Sequence, residues 1–183
     1  MRHTRKLLPI LLLLLTVAAE AKRRDPLTEA ETDQLREVAM EPYKRLKLLV
    51  KFADARLVSI EQLRADPKEA DGRGQKIHDL LEDFTSILDE INDNLDQYAG
   101  RPLTADDNKE FRKGIKETIS ACDQFDLKLK TLRSEALSDP QTKKELSDFQ
   151  FALQDAQDAI KSSLDVAKEY ATDKNADSTP KKP

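Results

Sequence analysis

Residue types that carry metal or acid–base chemistry are scarce in this chain. Outside residues 1–21 it contains a single histidine, His78, and Asp79 and Glu82 follow within one helical turn. An imidazole and two carboxylates are ligand types for zinc. At 100° per residue, however, His78 lies about 125° from the centre of the apolar stripe of its helix. We therefore expect His78 to face solvent among surface carboxylates, and we predict no metal site.

Nucleophilic catalysis also lacks its parts. The only cysteine, Cys122, lies within about 20° of the centre of its apolar stripe, where an unpaired cysteine packs as a small apolar side chain. A Ser-His-Asp or Cys-His arrangement needs a histidine within reach of the nucleophile, and His78 is not expected to provide one. A site made of carboxylates alone stays open, but no pair of Asp or Glu stands out from the charged surface. We predict no catalytic residues and a chain that is not an enzyme.

Met40 and His78 together invite a comparison with helical bundles that hold haem between Met and His. If the first helical hairpin turns near residue 70, the two residues differ in height by roughly 20 Å, which a single iron cannot bridge. The sequence has no Cys-x-x-Cys-His motif for attaching a c-type haem and no Glu-x-x-His pair for a di-iron site. We therefore predict no cofactor.

Apolar residues recur every three or four positions along most of the chain, which predicts helices. The predicted helices span approximately 27–65, 68–99, 104–137 and 140–171. Thr28 and Glu31 have capping-box spacing at the first helix start, and Gly100 follows the end of the second helix. Few aromatic residues and no tryptophan make a sheet unfavourable. The sequence therefore predicts an all-α fold.

Short connections between long helices make each helix run back along the one before it. The sequence thus predicts an up-down-up-down four-helix bundle, antiparallel and left-handed. Pro42 lies on the apolar seam of the first helix, and its missing N–H should kink or split the helix there. The alternative is a three-helix or extended coiled-coil arrangement in which the segment before Pro42 projects.

The first 21 residues have the three parts of a signal peptide. A basic start precedes an apolar run of 13 residues from Leu7 to Ala19, which is shorter than the roughly 20 residues that a spanning helix needs. Ala19-Glu20-Ala21 then supplies the small-x-small cleavage pattern. We predict cleavage after Ala21, which leaves no stable transmembrane anchor. An uncleaved N-terminal anchor is the alternative.

The chain that remains is predicted to form one helical domain over 22–171 with a disordered tail over 172–183. Removal of residues 1–21 changes the formal net charge from −4 to −6, and we expect no nucleic-acid binding from so acidic a chain. A lone cysteine forms no internal disulfide, and the mature chain has no glycosylation sequon. These features favour a protein exported to the bacterial periplasm or secreted.

Lys44, Lys47 and Lys51 form a candidate anion-binding stripe. They belong to segment 43–56, which has five basic residues and one acidic residue in an otherwise acidic chain. A basic amphipathic helix can contact an anionic membrane surface or polymer. The alternative is neutralisation by the carboxylates of residues 79–99. Antiparallel pairing about residue 70 places Lys44 near Asp96, Lys51 near Asp89 and Arg56 near Asp83.

Four apolar residues are candidates for a docking surface that binds a partner or a second copy. Leu48, Val58, Leu127 and Phe151 project roughly 120–160° from the centres of their apolar stripes. Leu127 and Phe151 come at similar heights if their helices are antiparallel neighbours. Clustered apolar residues mark docking faces, whereas scattered ones are normal on a protein surface, and the sequence leaves both readings open.

The sequence as a whole predicts an exported helical bundle without enzymatic activity. Such a protein acts by binding an envelope protein or by forming a homo-oligomer. The alternative is a carrier that holds a hydrophobic or anionic small molecule between its helices.

Overall fold

The computed structural model describes residues 24–138 and 140–172. The predicted signal peptide and the part of the predicted tail beyond Thr172 lie outside these residues. Over the described residues the chain is all-helical, and no strand occurs, which confirms the predicted fold class.

The described residues form five α-helices and one short 3-10 helix over Pro67–Glu69. The α-helices are α1 (Glu29–Glu37), α2 (Pro42–Ala65), α3 (Arg73–Ala99), α4 (Ala105–Ser138) and α5 (Pro140–Thr172). The last two begin and end within one residue of the positions predicted from the sequence. None of the described helices combines the length and the apolarity that a membrane-crossing helix requires.

The predicted first helix over 27–65 is two helices in the structure. The capping box starts α1 as predicted, since the Thr28 side chain accepts from the Glu31 backbone and the Glu31 side chain accepts from the Thr28 backbone. The chain then leaves the helix after Glu37, and Pro42 is the first residue of α2. Proline at this position needs no backbone donor, and it favours an extended residue before it, which is what Glu41 adopts.

The second predicted helix starts later than expected. Asp66 caps the 3-10 helix by accepting from the Lys68 backbone, and α3 begins only after Gly72. Gly72 has φ 64°, a left-handed conformation that favours glycine. The predicted start at residue 68 is therefore five residues too early, because the turn at Gly72 separates the 3-10 helix from α3.

Two pairs of helices are antiparallel. Arg45 near the start of α2 donates to Asn94 near the end of α3, and Arg56 approaches Asp83. In the same way α4 ends at Ser138 and α5 begins at Pro140, and the Thr142 hydroxyl of α5 donates back to the Ala136 carbonyl of α4. Each pair is therefore a helical hairpin.

The two hairpins pack side by side with their helices parallel. Lys128 of α4 pairs with Asp54 of α2, and further along both helices Arg64 pairs with Glu135. On the other side of the fold α3 packs along α5, with Arg73 on Glu145 at one end and Asp96 on Tyr170 at the other. Along each pair of helices the residue numbers of the two partners rise together, so α2 is parallel to α4 and α3 is parallel to α5.

The expectation that every helix packs along the preceding one is wrong for α4. Among the described helices, α4 packs against α2 and α5, while α3 packs against α2 and α5. Consecutive helices α3 and α4 instead meet across the core, where the Phe84 ring stands edge-on to Phe125 at 5.3 Å between centroids. A short connection fixes the direction of the next helix but leaves its neighbour to be decided by side-chain packing.

Parallel helices α2 and α4 approach closely at one point. Gly114 of α4 faces the fully buried Leu46 of α2, and a Cβ atom on Gly114 would lie 2.7 Å from Leu46 Cδ1. An alanine at this position would force Leu46 to move, so the close spacing of the two helices favours glycine although the φ of Gly114 is ordinary.

Candidate functional site

The basic residues of α2 separate onto two sides of the helix. Arg45 and Arg56 contact α1 and α3, whereas Lys44, Lys47 and Lys51 line a cavity between α2 and α4. The arginines are eleven residues apart, or three turns, and so they share one face. The lysines lie on a different face, which explains why one basic segment has two structural roles.

Arg56 connects the start of α1 to α3. Its guanidinium donates to both carboxylate oxygens of Glu31, at 2.8 and 2.6 Å, and to the Pro26 carbonyl at 2.6 Å. Asp83 Oδ2 lies 3.9 Å from Arg56 Nε. The hydrogen bonds from Arg56 hold the pKa of Glu31 below its usual range.

Arg45 makes the corresponding connection near the end of α1. It donates to the Leu35 carbonyl of α1 at 3.2 Å, and to Asn94 and Glu90 of α3 at 2.5 and 2.7 Å. Leu35 itself is buried in the core. Together, the two arginines hold α1 against the α2/α3 side of the fold.

The predicted neutralisation of segment 43–56 is realised only in part. Arg56 pairs with Asp83 as predicted, but Lys44 pairs with Glu41 of its own chain segment at 2.5 Å. The predicted partner of Lys44, Asp96, accepts a hydrogen bond from Tyr170 at 2.7 Å instead. Among the described residues, no carboxylate lies within ion-pair distance of Lys51. The pairing fails because the lysines face α4, while Asp89 and Asp96 belong to α3.

The larger of two cavities between α2 and α4 has a volume of about 690 Å³. Its apolar wall contains half-buried Leu48 and Val50 of α2 and buried Ala121 and Phe125 of α4. The polar part of its lining consists of Lys44, Lys47, Lys51, Asp54, Glu117, Ser120 and Gln124. The cavity thus combines an apolar wall with an excess of lysine.

A smaller cavity of about 290 Å³ follows along the same two helices. Leu57 and Ile60 of α2 and Leu127 and Leu132 of α4 line it. Asp54 lines the larger cavity and Lys128 the smaller one, so their 2.7 Å ion pair stands between the two. We call the two cavities together the α2/α4 groove.

The four predicted docking residues do not occupy one kind of environment. Leu127 and Phe151 are exposed, at 67% and 76%, as the prediction requires. Leu48 and Val58 are half-buried, and Leu48 packs against the core. Leu48 and Leu127 both line the α2/α4 groove, whereas Phe151 of α5 lines neither cavity. Leu48 and Val58 are therefore less exposed than Leu127 and Phe151, and a docking surface formed by the four residues stays a prediction.

Sequence reasoning missed the contribution of α4 to this groove. Glu117, Ser120, Ala121 and Gln124 recur at the spacing of one helical face and line the larger cavity. Their small or polar side chains have no apolar periodicity, so only the parallel packing of α4 on α2 identifies the face. Met40 is 78% exposed in the turn before α2 and lines neither cavity.

The chemical groups outside the groove are largely engaged with neighbours. His78 Nδ1 lies 3.5 Å from Asp79 and 3.9 Å from Glu82, and these three donors lie close enough to hold a metal ion. However, Asp79 also accepts from Gln75 at 2.8 Å, and Arg24 Nη1 lies 4.0 Å away. Positive charge beside one carboxylate opposes cation binding there, and the prediction of no metal site stays a prediction.

Cys122 lies in the core and faces no cavity described above. Burial raises the pKa of its thiol to about 12. A thiol with this pKa is a poor nucleophile at neutral pH, because the thiolate is the reactive form.

Comparisons with protein-family models, with curated proteins and with solved structures gave no match. The α2/α4 groove is therefore the feature of the described residues that bears most directly on function.

Proposed function

We propose that this chain is an exported, non-enzymatic helical-bundle protein that acts by binding a partner protein, or a second copy of itself, in the cell envelope. The observation that carries the proposal is the α2/α4 groove, in which an apolar wall and three lysines line one cavity. Grooves of this composition are where proteins dock amphipathic partners.

The fold proposed for this function is a left-handed four-helix bundle of α2 to α5, with helix directions that alternate along the chain. Its support is the set of packed pairs, in which each long helix has two long neighbours. In this proposal α1 is an additional helix on the outside of α2, fixed by Arg45 and Arg56.

Export is proposed from the composition of residues 1–21, which have the basic, apolar and small-residue parts of a signal peptide. Cleavage after Ala21 would leave Lys22 as the first residue. Two residues later, Arg24 donates to Asp83 at 2.6 Å and to the Asp79 carbonyl at 3.1 Å. The third residue of the mature chain would therefore be bound to α3.

Native mass spectrometry of the protein released from the envelope of its own host tests this proposal. We expect a chain that begins at Lys22 and an additional mass that corresponds to a partner protein or a second copy. A bare monomer across the cellular concentration range would contradict a binding function, and a chain that retains residues 1–21 would contradict cleavage.

A small-molecule carrier is the second candidate. It is favoured by the volume of the larger cavity, about 690 Å³, because sites for small molecules commonly measure about 300–1,000 Å³. The same native spectra distinguish a carrier from a protein-binding domain. A carrier would retain the mass of a small ligand, on the order of a few hundred daltons, whereas a bound protein adds a much larger mass.

A further inference from the structure

We propose that the partner docks as a short acidic amphipathic helix in the larger cavity of the α2/α4 groove. This inference rests on the proposed binding function and specifies the chemistry of the partner. Three features of the molecule support it: the charge of the lining, the spacing of the lining residues and the way in which α2 already holds α1.

The lining of the cavity has positive charge that the described residues do not neutralise. Lys47 lies 5.6 Å from the centre of the Tyr43 ring, and neither Lys47 nor Lys51 forms an ion pair within the described part of the chain. Of the two carboxylates in the lining, Asp54 is already paired with Lys128. Glu117 alone is left to balance these lysines, so a ligand with negative charge gains complementary contacts there.

The spacing of the lining residues suits a helix. On α2 the lining recurs at positions 44, 47, 48 and 51, and on α4 at positions 117, 120, 121 and 124. Two ridges of this period leave a groove that accepts side chains at the same period, as in helix–helix packing. From Lys44 to Asp54 the groove extends about 15 Å at 1.5 Å per residue, which corresponds to roughly three turns of a docked helix.

Another face of α2, next to the cavity that Val38 at the end of α1 also lines, provides a precedent. There α1, which has nine residues, contributes Leu35 to the core and offers Glu31 to Arg56. An external helix with one or two apolar anchors and a flanking carboxylate would meet Leu48 and Lys51 in the corresponding way. Lysine is flexible and strongly hydrated, whereas arginine forms fixed two-point contacts, so the lysine side suits a partner that binds and dissociates.

Site-specific photocrosslinking in the cells that make the protein tests this inference. A photoreactive amino acid is placed at Gln124, which is exposed and lines the cavity, or at Asp155, which is exposed on α5 and serves as the control. The crosslinked peptide is identified by mass spectrometry. We expect an adduct at Gln124 whose attached peptide is a helix-forming segment with acidic flanks and apolar residues three or four positions apart.

Charge reversal provides the second measurement. The variant K47E/K51E should reduce the Gln124 adduct by at least about tenfold, because like charges then face each other. The matched variant K143E/K161E changes the net charge equally at exposed positions on α5 and should leave the adduct unchanged. Thermal unfolding of both variants tests whether they remain folded, so that a weaker adduct can be attributed to the changed charge.

The remaining outcomes separate the inference from the proposed function. An adduct at Asp155 but none at Gln124 overturns the groove as the docking site and leaves a binding function in place. An adduct at Gln124 with a lipid, with a basic segment or with a second copy of the chain overturns the acidic helix of a partner. The absence of adducts at both positions, together with a bare monomer in native spectra, overturns the inference and the proposed function.

Discussion

Arg56 of α2 and Glu31 of α1 form a two-point contact in which both side chains are largely buried, at 10% and 13% exposure. Isolated helices shorter than about 12 residues are marginal in water, and α1 has nine residues. Its capping box supplies local stability, but its position on the fold depends on Arg56, on Arg45 and on the burial of Leu35.

Removing the charge of Glu31 should therefore release α1. We expect E31Q to cost about 3 kcal/mol locally, the scale for losing one partner of a buried ion pair. Hydrogen exchange of the amides in Glu29–Glu37 should become about 100-fold faster, while exchange in α4 stays unchanged. The control is E37Q, an exposed position on the same helix, and equal exchange in both variants would contradict the anchoring role of Glu31.

Low pH should also release α1 in the unmodified protein, because it protonates Glu31. Because the Arg56 hydrogen bonds lower the pKa of Glu31, the ionised form contributes stability above the unfolded pKa of about 4.3. That contribution is lost as pH falls through the lower pKa of the folded state. We expect the protection of the α1 amides, measured relative to their intrinsic exchange rate at each pH, to fall below about pH 4 in the native protein. In E31Q this pH dependence should be absent, and its persistence would assign the effect to another carboxylate.

The close approach at Gly114 predicts an unfavourable alanine. A methyl group there would overlap Leu46 Cδ1 at 2.7 Å, which costs about 1–3 kcal/mol in a packed core. Alanine gains about 1 kcal/mol over glycine in a helix, so we expect G114A to lose about 1 kcal/mol in chemical denaturation. Shortening the facing side chain in G114A/L46V should cost less than the sum of the two single variants. Strict additivity would show that the two residues are not in contact.

Tyr170 should report the parallel packing of α5 on α3. Its hydroxyl donates to Asp96 at 2.7 Å, and this hydrogen bond raises the pKa of Tyr170 to about 12. In D96N we expect the pKa, followed by NMR of the tyrosine ring carbon, to fall towards the ordinary value of about 10. The contact therefore stabilises the protein below about pH 10 and is lost as pH rises towards 12. D93N on the same helix should leave the titration unchanged, and an unchanged pKa in D96N would contradict the packing.

Thiol labelling should find Cys122 inert. With a pKa of about 12, the thiol should react with a disulfide reagent at pH 8 about a thousandfold more slowly in the native protein than after unfolding. A variant with an exposed cysteine, C122A/S134C, should react immediately and serves as the positive control. Rapid labelling of native Cys122 would mean that α4 opens readily at its centre.

The local features of the fold could be predicted from the sequence because each depends on residues within a few positions. The capping box of Thr28 and Glu31, the break at Pro42 and the burial of Cys122 all follow from spacing along one helix. The meeting of Arg56 and Asp83 could also be predicted, since one hairpin turn fixes the register of α2 on α3.

The neighbours of α4 could not be predicted in this way. Helical period indicates that α4 buries one face, but it does not say whether α3 or α2 lies beside it. The choice depends on shape, on Gly114 allowing α4 close to Leu46 and on Phe84 meeting Phe125 across the core. That choice also decides what Lys44, Lys47 and Lys51 face. The sequence therefore predicts the lysine side of the candidate site but not the α4 side.

Because α3 and α4 lie across the core from each other, the connection between them joins two hairpins that pack like the subunits of a dimer. Within each hairpin the helices are neighbours in sequence, but Asp54–Lys128 and Arg73–Glu145 join residues more than 70 positions apart. We expect contacts this distant in sequence to form after the hairpins, because closing a long loop costs more entropy than closing a short one. A chain divided within residues 100–104 would retain both hairpins and the ion pairs and hydrogen bonds between them, so the two fragments should recognise each other and reassemble in solution.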